Sequence, residues 1–573
     1  MLGALALALA LALVSTAEPC VGPNVLMILV DDLGYGDLSV SPFTGHGLLT
    51  PNLEAMSKRS TVLINFHVVA PVCTPSRAAL LTGLFPWRLG IYSIYGTGPQ
   101  ALEYMTVVPT SPMAFLQQGY HTAHVGKWHL GGMQPKDIAL RQSQNCTPGL
   151  VEPGPMQHGF VEYVAMAEGP ESPRLKILSP TSTLYHAGAQ HLLRNEKPWV
   201  QSQSPKKQQI LTDRQTDEAI RIMNETVSRG QRFYLHLWYD APHGPWEIIE
   251  PYDRLYKETA WPGGRASRNF KYATMVSSVD ANIGRVRSAI EALSIAEDTL
   301  LVFLSDNGPE ERAGGTAGFK GRKRSLQEGG IRVPCMFEWR GRIAENVRLD
   351  NLVLSTDLFP TFLAAAGVTK PKQYRLDGTS VLDLLLLPSP YPSSSSSSSS
   401  HHLPIVANSS AKARVAQLLT QRVALWHKDI EGKASVAWSR GYKLLVHGEP
   451  VNKGAGTRSD KLLGRVEMYD MLADEREYRP LLGLPMVPVG AAGGPGPTAT
   501  SASRSDPHIV GRVRAELYDQ LAQFVEQANR PYAARKAAEA KADAPTNSSC
   551  AAPLASDASC LPWDAQTAAL PIF

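Results

Sequence analysis

The 573-residue chain lacks an excess of charge of either sign. It has 56 lysines and arginines against 52 aspartates and glutamates, a formal net charge of +4. A protein that coats a polyanion needs a much larger basic excess, so we expect no nucleic-acid partner. The chain also lacks an internal repeat of solenoid length, which excludes the common repeat architectures.

Long apolar runs are also missing. The N-terminal run Leu2–Val14 is shorter than the ~20 residues that span a bilayer, and it ends in small residues, Ser15-Thr16-Ala17. Small residues at this point are typical of a signal-peptidase site, so we predict that residues 1–17 form a signal peptide. This predicts entry into the secretory pathway, an extracellular or lysosomal destination and no stable membrane anchor. Four Asn-X-Ser/Thr sites fit a glycoprotein: Asn145, Asn224, Asn408 and Asn547.

Cysteine is scarce for a secreted chain of this length. The six cysteines are too far apart for a disulfide framework, and Cys550 with Cys560 is the only pair close enough in sequence to suggest a bridge. The sequence therefore predicts a fold that is stabilised by a large apolar core.

Three continuous apolar segments of strand length are present. They cover residues 24–30, 232–239 and 299–305, and each runs directly into polar residues with Gly or Pro. Apolar runs without alternation indicate strands that are covered on both faces, as in a parallel sheet. Helical periodicity lies between them, for example over 50–56 and 272–293. The pattern predicts an α/β domain with a large, mostly parallel sheet whose strand ends form the rim of a site.

The organisation along the chain follows from changes in composition. We predict a catalytic domain over residues 24–385, within which residues 134–230 are expected to be loops and insertions lining the entrance to the site. The serine run 393–400 places a flexible linker or loop at residues 388–402. A smaller C-terminal α+β subdomain over 403–530 and a low-complexity tail over 531–573 follow.

Cys73-Thr74-Pro75-Ser76-Arg77 is the segment richest in chemical information. Pro75, followed by helix-forming residues, places Cys73 at the start of a helix, where backbone N–H groups favour anions. Arg77 lies one turn further along and faces the same way as Cys73. A nucleophile beside a guanidinium group predicts a site for an oxyanion substrate.

Two polar pairs follow apolar strands. Asp31 and Asp32 end one strand, and Asp306 with Asn307 end another. Their hard oxygen atoms suit calcium or magnesium, and no pair of thiolates or histidines favours zinc. We expect one divalent cation at this edge of the sheet. Both calcium and magnesium accept these ligands, and of the two we favour calcium.

These motifs resemble those of the sulfatase family. Cys73-Thr74-Pro75-Ser76-Arg77 is similar to the family's C-x-P-x-R motif, and Gly126-Lys127-Trp128-His129-Leu130-Gly131 is similar to its second motif. The resemblance covers residues 24–380 and continues more weakly at 467–470. It implies an alkaline-phosphatase-like fold and conversion of Cys73 to formylglycine by a formylglycine-generating enzyme.

The resemblance also implies roles for individual residues. Asp31, Asp32, Asp306, Asn307 and the modified Cys73 match the family's metal site. Residues that match positions binding the sulfate, protonating the leaving group or assisting elimination are Arg77, Lys127, His129, His243 and Lys320. We interpret Arg322, Lys323 and Arg324 as a solvated basic loop, and we assign no role to His46, His67 or His236.

Three functions agree with these motifs. The first is hydrolysis of an aryl or carbohydrate sulfate monoester, in a branch similar to arylsulfatases or N-acetylgalactosamine-6-sulfatases. The second is hydrolysis of a phosphonate or phosphodiester by a member of the same superfamily. The third is non-catalytic binding of sulfated glycans by a degenerate pocket, which the full set of matching residues disfavours.

Overall fold

The computed structural model describes somewhat more than half of the chain, including most of residues 22–387. The described residues are 22–40, 42–43, 47–94, 108–133, 139, 153–166, 192–198, 210–261, 263–370, 376–387, 409–422, 424–428, 434–439, 442–447, 466–471, 476–477 and six positions between 513 and 521. The predicted signal peptide, the linker 388–402, the tail and four of the six cysteines lie outside these residues. Cys73 and Cys335 are buried free thiols.

One large sheet of ten strands forms the centre of the main domain. Its strands, in chain order, are β1 Asn24–Val30, β2 Thr61–Leu63, β4 His121–Lys127, β5 Glu162–Met166, β6 Leu192–Arg194, β7 Lys197–Pro198, β8 Phe233–Tyr239, β9 Thr299–Ser305, β10 Cys335–Glu338 and β11 Val347–Leu349. A two-stranded sheet pairs β3 Phe66–His67 with β12 Val353–Leu354. The order across the large sheet is β11-β2-β10-β9-β1-β8-β4-β5-β6-β7.

The centre of the large sheet is parallel, as the continuous apolar runs predict. β9, β1, β8, β4 and β5 pair in parallel, and β10 and β6 add antiparallel neighbours on the two sides. Every residue of β1, β8 and β9 is buried, because helices cover both faces. The carboxyl ends of these strands therefore meet at one edge of the sheet.

The helices of the main domain follow the sheet in the βα alternation expected of this class. They are α1 Pro51–Ser57, α2 Cys73–Thr82, α3 Ser111–Leu116, α4 Leu211–Ser228, α5 Arg268–Ala292, α6 Glu328–Ile331, α7 Leu358–Ala365 and α8 Leu382–Leu385. α1 and α5 agree with the helical periodicity of the sequence. Among the described residues, no helix has the length and apolar character that crossing a membrane requires.

The interpretation of residues 134–230 as loops and insertions is wrong for four described elements, β5, β6, β7 and α4. β5 extends the central sheet, and α4 is a helix of 18 residues that packs on it. The face of α4 towards the sheet is partly polar: Thr216 Oγ1 lies 2.7 Å from the Tyr239 hydroxyl. The same face also carries Leu211, Ala219, Ile222 and Met223 at helical spacing, so the sequence of this helix is amphipathic and was consistent with a helix.

A four-stranded antiparallel sheet, which we call the second sheet, lies after the main domain. It consists of β13 Ala424–Lys428, β14 Ala434–Ser439, β15 Tyr442–His447 and β16 Val466–Asp470, and helix α9 Ser409–Gln421 precedes it. Trp426 of this sheet is fully buried, and its indole N–H donates to the Val68 carbonyl at 2.9 Å. The smaller sheet therefore packs directly against the main domain, near the start of α2.

Candidate active site

Four adjacent parallel strands deliver polar side chains to one place. Asp31 and Asp32 follow β1, Asp306 follows β9, His243 lies four residues after β8, and Lys127 ends β4. All five are buried. Since the order of these strands is β9-β1-β8-β4, their carboxyl ends place the five side chains side by side.

Cys73 is the first residue of α2 and points at this cluster. Its Sγ lies 3.4 Å from Asp31 Oδ1 and 3.6 Å from Lys127 Nζ. The helix begins there because Val72 is extended and Pro75 favours a first turn, and it ends at Gly83, whose φ is +68°. The structure thus places the thiol at a helix N-terminus, between a carboxylate and an ammonium group.

Arg77 lies one turn along α2 and binds the carboxylates behind Cys73. Its Nη2 and Nε donate to Asp306 Oδ2 at 2.8 and 3.1 Å, and Nη2 lies 3.2 Å from Asp31 Oδ2. Nη1 donates to the Lys127 carbonyl at 2.7 Å. The guanidinium group is fully buried, so it fixes the ends of β1, β4 and β9 relative to one another.

Burial and crowding shift the acidic groups in opposite directions. Burial raises the pKa of Asp31, but Lys127, His243 and Arg77 outweigh it and hold that pKa well below the usual range. Burial, with help from Asp31, raises the pKa of Asp32 to about 6 and that of Asp306 to about 7. Close carboxylates in a buried site oppose each other's ionisation.

The residues present fit a divalent cation. One donor atom each from Asp31, Asp32, Cys73 and His243 lies within 4.8 Å of all the others. Asn307 Nδ2 donates to Asp32 Oδ1 at 2.7 Å, which leaves its buried Oδ1 without a hydrogen-bond partner. A buried amide oxygen beside crowded carboxylates is a hard ligand set that suits calcium or magnesium.

The two predicted histidines flank the carboxylates in different ways. His243 Nε2 lies 3.5 Å from Asp32 Oδ2, and its Nδ1 lies 2.6 Å from the Gly244 carbonyl oxygen. His129 adopts a left-handed backbone conformation with φ +58°, and its carbonyl accepts a hydrogen bond from Thr74 in α2. Burial, assisted by Lys127 and Arg77, lowers the pKa of His129 well below the usual range. The His243 ring is therefore in direct contact with the cluster, whereas the contact of His129 with α2 is made by its backbone carbonyl.

The loop after β9 corrects one interpretation. Lys323, expected to be solvated, is buried, and its Nζ lies 2.8 Å from Asp32 and 3.4 Å from Glu310 Oε1. Arg322 donates to the carbonyls of Glu310, Ala313 and Gly314, and Arg324 donates to the Glu310 carboxylate. The basic segment is thus a folded part of the site.

Lys320, which the resemblance places in the site, contacts the second sheet. Its Nζ donates to the Tyr469 hydroxyl at 3.1 Å and lies over the Tyr469 ring. Lys323 is the lysine of this loop that reaches a metal-site carboxylate. Periodicity could not distinguish the two lysines, because both lie in an irregular Gly-rich segment. No signal in the sequence separated them, because the contact of Lys323 with Asp32 joins residues that are far apart along the chain.

The sequence of the chain is similar to those of known proteins. The sequence model of the Sulfatase family matches residues 23–368. Human N-acetylgalactosamine-6-sulfatase is 30% identical in an alignment of 376 positions that covers 64% of this chain and 66% of the human protein. Bovine arylsulfatase A is 31% identical in an alignment of 401 positions that covers 66% of this chain and 70% of the bovine protein. The chain therefore matches about two thirds of the length of these relatives.

Solved structures share the fold. A sulfatase from Pseudoalteromonas sp. superposes with a TM-score of 0.56 and 21% identity, covering 80% of this chain and 86% of that one. A phosphonate monoester hydrolase of Agrobacterium radiobacter superposes with a TM-score of 0.53 and 18% identity, covering 88% and 96%. The alkaline-phosphatase-like architecture is confirmed. Together with the family match across more than half of its length, this establishes that the chain belongs to the sulfatase family.

Proposed function

We propose that the protein hydrolyses sulfate monoesters, with formylglycine formed from Cys73 as its nucleophile. The observation that carries this proposal is the position of Cys73. Its Sγ is 3.4 Å from an Asp31 oxygen and 3.6 Å from Lys127 Nζ, at the N-terminus of α2. A residue so placed can present an oxygen nucleophile to an anion that the cations beside it hold in place.

The chemistry follows from an aldehyde hydrate at residue 73. One hydroxyl group attacks sulfur, the S–O bond to the leaving alcohol breaks, and the alcohol takes up a proton. The second hydroxyl group then loses its proton and re-forms the C=O bond, and the C–O bond to sulfate breaks. Water restores the hydrate, so turnover requires no attack on the sulfur of the enzyme-bound ester.

The side chains around residue 73 supply charge and protons. Arg77 and Lys127 hold Asp31 ionised, and Lys127 faces the nucleophile. Lys323 and His243 lie on the Asp32 side of the cluster, where they can bind a sulfate oxygen or protonate the leaving alcohol. We assign to Lys323 the role that the sequence resemblance gave to Lys320.

Asp31, Asp32, Asp306 and Asn307 would hold one divalent cation, together with the modified residue 73. The oxygen-rich ligand set favours calcium or magnesium, and we propose calcium. When bound, the cation would neutralise the negative charge that the sulfate and the carboxylates bring together.

The substrate that we propose is a sulfated sugar or an aryl sulfate. The names of the two curated relatives, a carbohydrate sulfatase and an arylsulfatase, support these two classes. We further propose maturation by a formylglycine-generating enzyme, passage through the secretory pathway and an extracellular or lysosomal location. The sequon at Asn224 lies on an exposed position of α4, which supports glycosylation of a secreted chain.

A comparison of matched esters tests the activity. The purified protein is assayed with an aryl sulfate, the corresponding aryl phosphate and a phosphonate monoester of the same phenol. We expect kcat/KM to be greatest for the sulfate and sulfate release to disappear in Cys73→Ala. A phosphonate preference of orders of magnitude would support the second candidate, which the shared fold of the Agrobacterium radiobacter enzyme favours. Binding of sulfated glycans without turnover would instead support a non-catalytic binder.

A further inference from the structure

A buried group of charges joins the second sheet to the loop that carries Lys323. We define the site loop as residues 306–332, from the end of β9 through α6. Lys443 of β15 is fully buried, and its Nζ lies 2.8 Å from Glu328 Oε1 and 2.7 Å from Glu477 Oε1. Neither carboxylate belongs to the site described above, and the proposed chemistry does not use this lysine.

Glu328 is the first residue of α6, and every polar atom of its carboxylate is engaged. Oε1 accepts a hydrogen bond from Lys443, and Oε2 lies 2.9 Å from His67 Nε2. Its backbone N–H donates to Glu477 Oε2 at 2.8 Å. The second sheet and the segment after it therefore hold both the side chain and the backbone of Glu328.

The residues after Glu328 support the site loop by backbone contacts. Gly329 N donates to the Lys320 carbonyl at 2.7 Å, and Gly308 N donates to the Gly330 carbonyl at 3.0 Å. A Cβ atom on Gly308 would lie 1.9 Å from the Gly329 carbonyl oxygen, and one on Gly330 would lie 2.0 Å from the Ser325 carbonyl oxygen. These backbones pack too closely to move independently, so a displacement of Glu328 displaces the loop on both sides.

That loop carries three side chains of the site, Asp306, Asn307 and Lys323. Gly308 follows Asn307, and Lys323 N donates to the Pro309 carbonyl at 3.0 Å. The adjacent Arg324 N donates to the carbonyl of Pro71, two residues before Cys73. The position of the turn at Glu328 is thus transmitted to Asn307 and Lys323 through short backbone hydrogen bonds.

We propose that Lys443 is a positioning residue for the site loop, acting through Glu328 and Glu477. Its ammonium group lies between two buried carboxylates, which repel each other. Glu328 has a more distant second cation in Arg332, whose Nη1 lies 3.6 Å from Oε2, whereas Lys443 contacts both carboxylates. Loss of a partner from a buried charge group leaves the remaining charges uncompensated. Glu328 then moves towards water or towards a different cation, and the loop moves with it. This inference rests on the proposed function only for its consequence in catalysis.

The chain offers a matched control in a second buried ion pair between the same two parts of the molecule. Arg422, which follows α9, donates to both oxygens of Asp357 at 2.6 and 2.8 Å. Asp357 lies in the turn before α7, outside the site loop. Arg422→Met therefore breaks an inter-unit ion pair without touching the loop that carries Lys323.

The experiment compares Lys443→Met, Lys443→Arg and Arg422→Met with the wild type. Amide hydrogen exchange of peptides from residues 308–327 is followed by mass spectrometry. We expect Lys443→Met to accelerate exchange in these peptides at least tenfold, Lys443→Arg to restore most of the protection, and Arg422→Met to leave them within twofold of the wild type. Equal acceleration in Lys443→Met and Arg422→Met, or none in Lys443→Met, would overturn the proposal.

Steady-state kinetics with an aryl sulfate provide the second readout. We expect kcat of Lys443→Met to fall about 10²-fold with KM changed less than threefold, because the loop is misplaced by a change far from the chemistry. Arg422→Met is expected to keep kcat within twofold of the wild type. An active wild type with an equally active Lys443→Met would refute the positioning role, whereas an inactive wild type would refute the proposed function alone.

A milder variant keeps the test decisive if Lys443→Met does not fold. Glu477→Gln removes one of the two carboxylates and retains the pair of Lys443 with Glu328. We expect exchange of the 308–327 peptides to be at least threefold faster than in the wild type, and faster than in Arg422→Met. Exchange unchanged from the wild type in Glu477→Gln would contradict the proposal.

Discussion

Replacing Lys323 by methionine tests whether this lysine, rather than Lys320, acts in the site. Met has a similar length without the charge, and Lys323 is a fully buried cation with its Nζ 2.8 Å from Asp32. If the ammonium group binds the sulfate while charge moves to the leaving oxygen, its loss should lower kcat as much as the removal of one oxyanion-hole donor does. That is about 10²–10³-fold in kcat, or ~2.7–4 kcal/mol of transition-state stabilisation.

Lys320→Met is the matched control, because Lys320 lies three residues earlier in the same loop. Its ammonium group donates to the Tyr469 hydroxyl. We expect kcat to stay within threefold of the wild type, with the free energy of unfolding lowered by about 1 kcal/mol, the contribution of one part-buried hydrogen bond.

The assay measures kcat and KM for an aryl sulfate alongside the melting temperature of each variant. A Lys323→Met protein that melts near the wild type and has lost at least 10²-fold in kcat supports the assignment. The reasoning is refuted if Lys323→Met keeps more than a third of kcat, or if Lys320→Met loses as much as Lys323→Met.

Three further predictions follow from the charges of the site and core. The pKa values of Asp32 and Asp306 are raised to about 6 and 7, so protons compete with a cation for these carboxylates below those pH values. Calcium affinity, measured by calorimetry, should therefore fall by about tenfold per pH unit for each protonated carboxylate. An affinity that is constant from pH 8 to 5 would contradict this. Asn307→Ala removes the buried amide oxygen and should weaken calcium binding about 10-fold or more, as an altered ligand shell commonly does; unchanged affinity would remove Asn307 from the ligand set. Burial lowers the pKa of His124 and of His158 to about 3 in the folded protein. The free energy of unfolding should therefore be greatest above the unfolded-state histidine pKa near 6.5, and it should fall by about 1.4 kcal/mol per pH unit for each histidine as the pH decreases below that value. Urea unfolding at pH 7 and pH 5 measures this difference, and equal stability at the two pH values would refute it.

The sequence was sufficient to predict the centre of the sheet and the edge at which the site lies. Continuous apolar runs define β1, β8 and β9, and the polar residues after them converge because parallel strands share one carboxyl edge. Likewise, Pro75 and the spacing of four residues place Cys73 and Arg77 on the same side of α2, where the structure has them.

Long-range pairing is what the sequence could not provide. Lys320 and Lys323 occur in similar local surroundings, and only the folded loop shows which of them is buried against Asp32. The same holds for Lys443, whose partners are more than 30 residues away in either direction along the chain and converge only through packing of the second sheet. α4, in contrast, was within reach of the sequence, because Leu211, Ala219, Ile222 and Met223 recur at helical spacing on its buried face. The Pro, Ser and Gln content of the surrounding residues led to the loop interpretation instead.

The mass of the tryptic peptide that contains residue 73, which spans Ser60–Arg77 in the sequence, tests the central claim most directly. The peptide is taken from protein made in its native host and treated with a hydroxylamine reagent, which captures aldehydes as oximes. The account predicts an oxime in place of the thiol at residue 73, together with sulfate release that scales with the fraction of modified chains. An intact thiol in protein that still releases sulfate at full rate would contradict it.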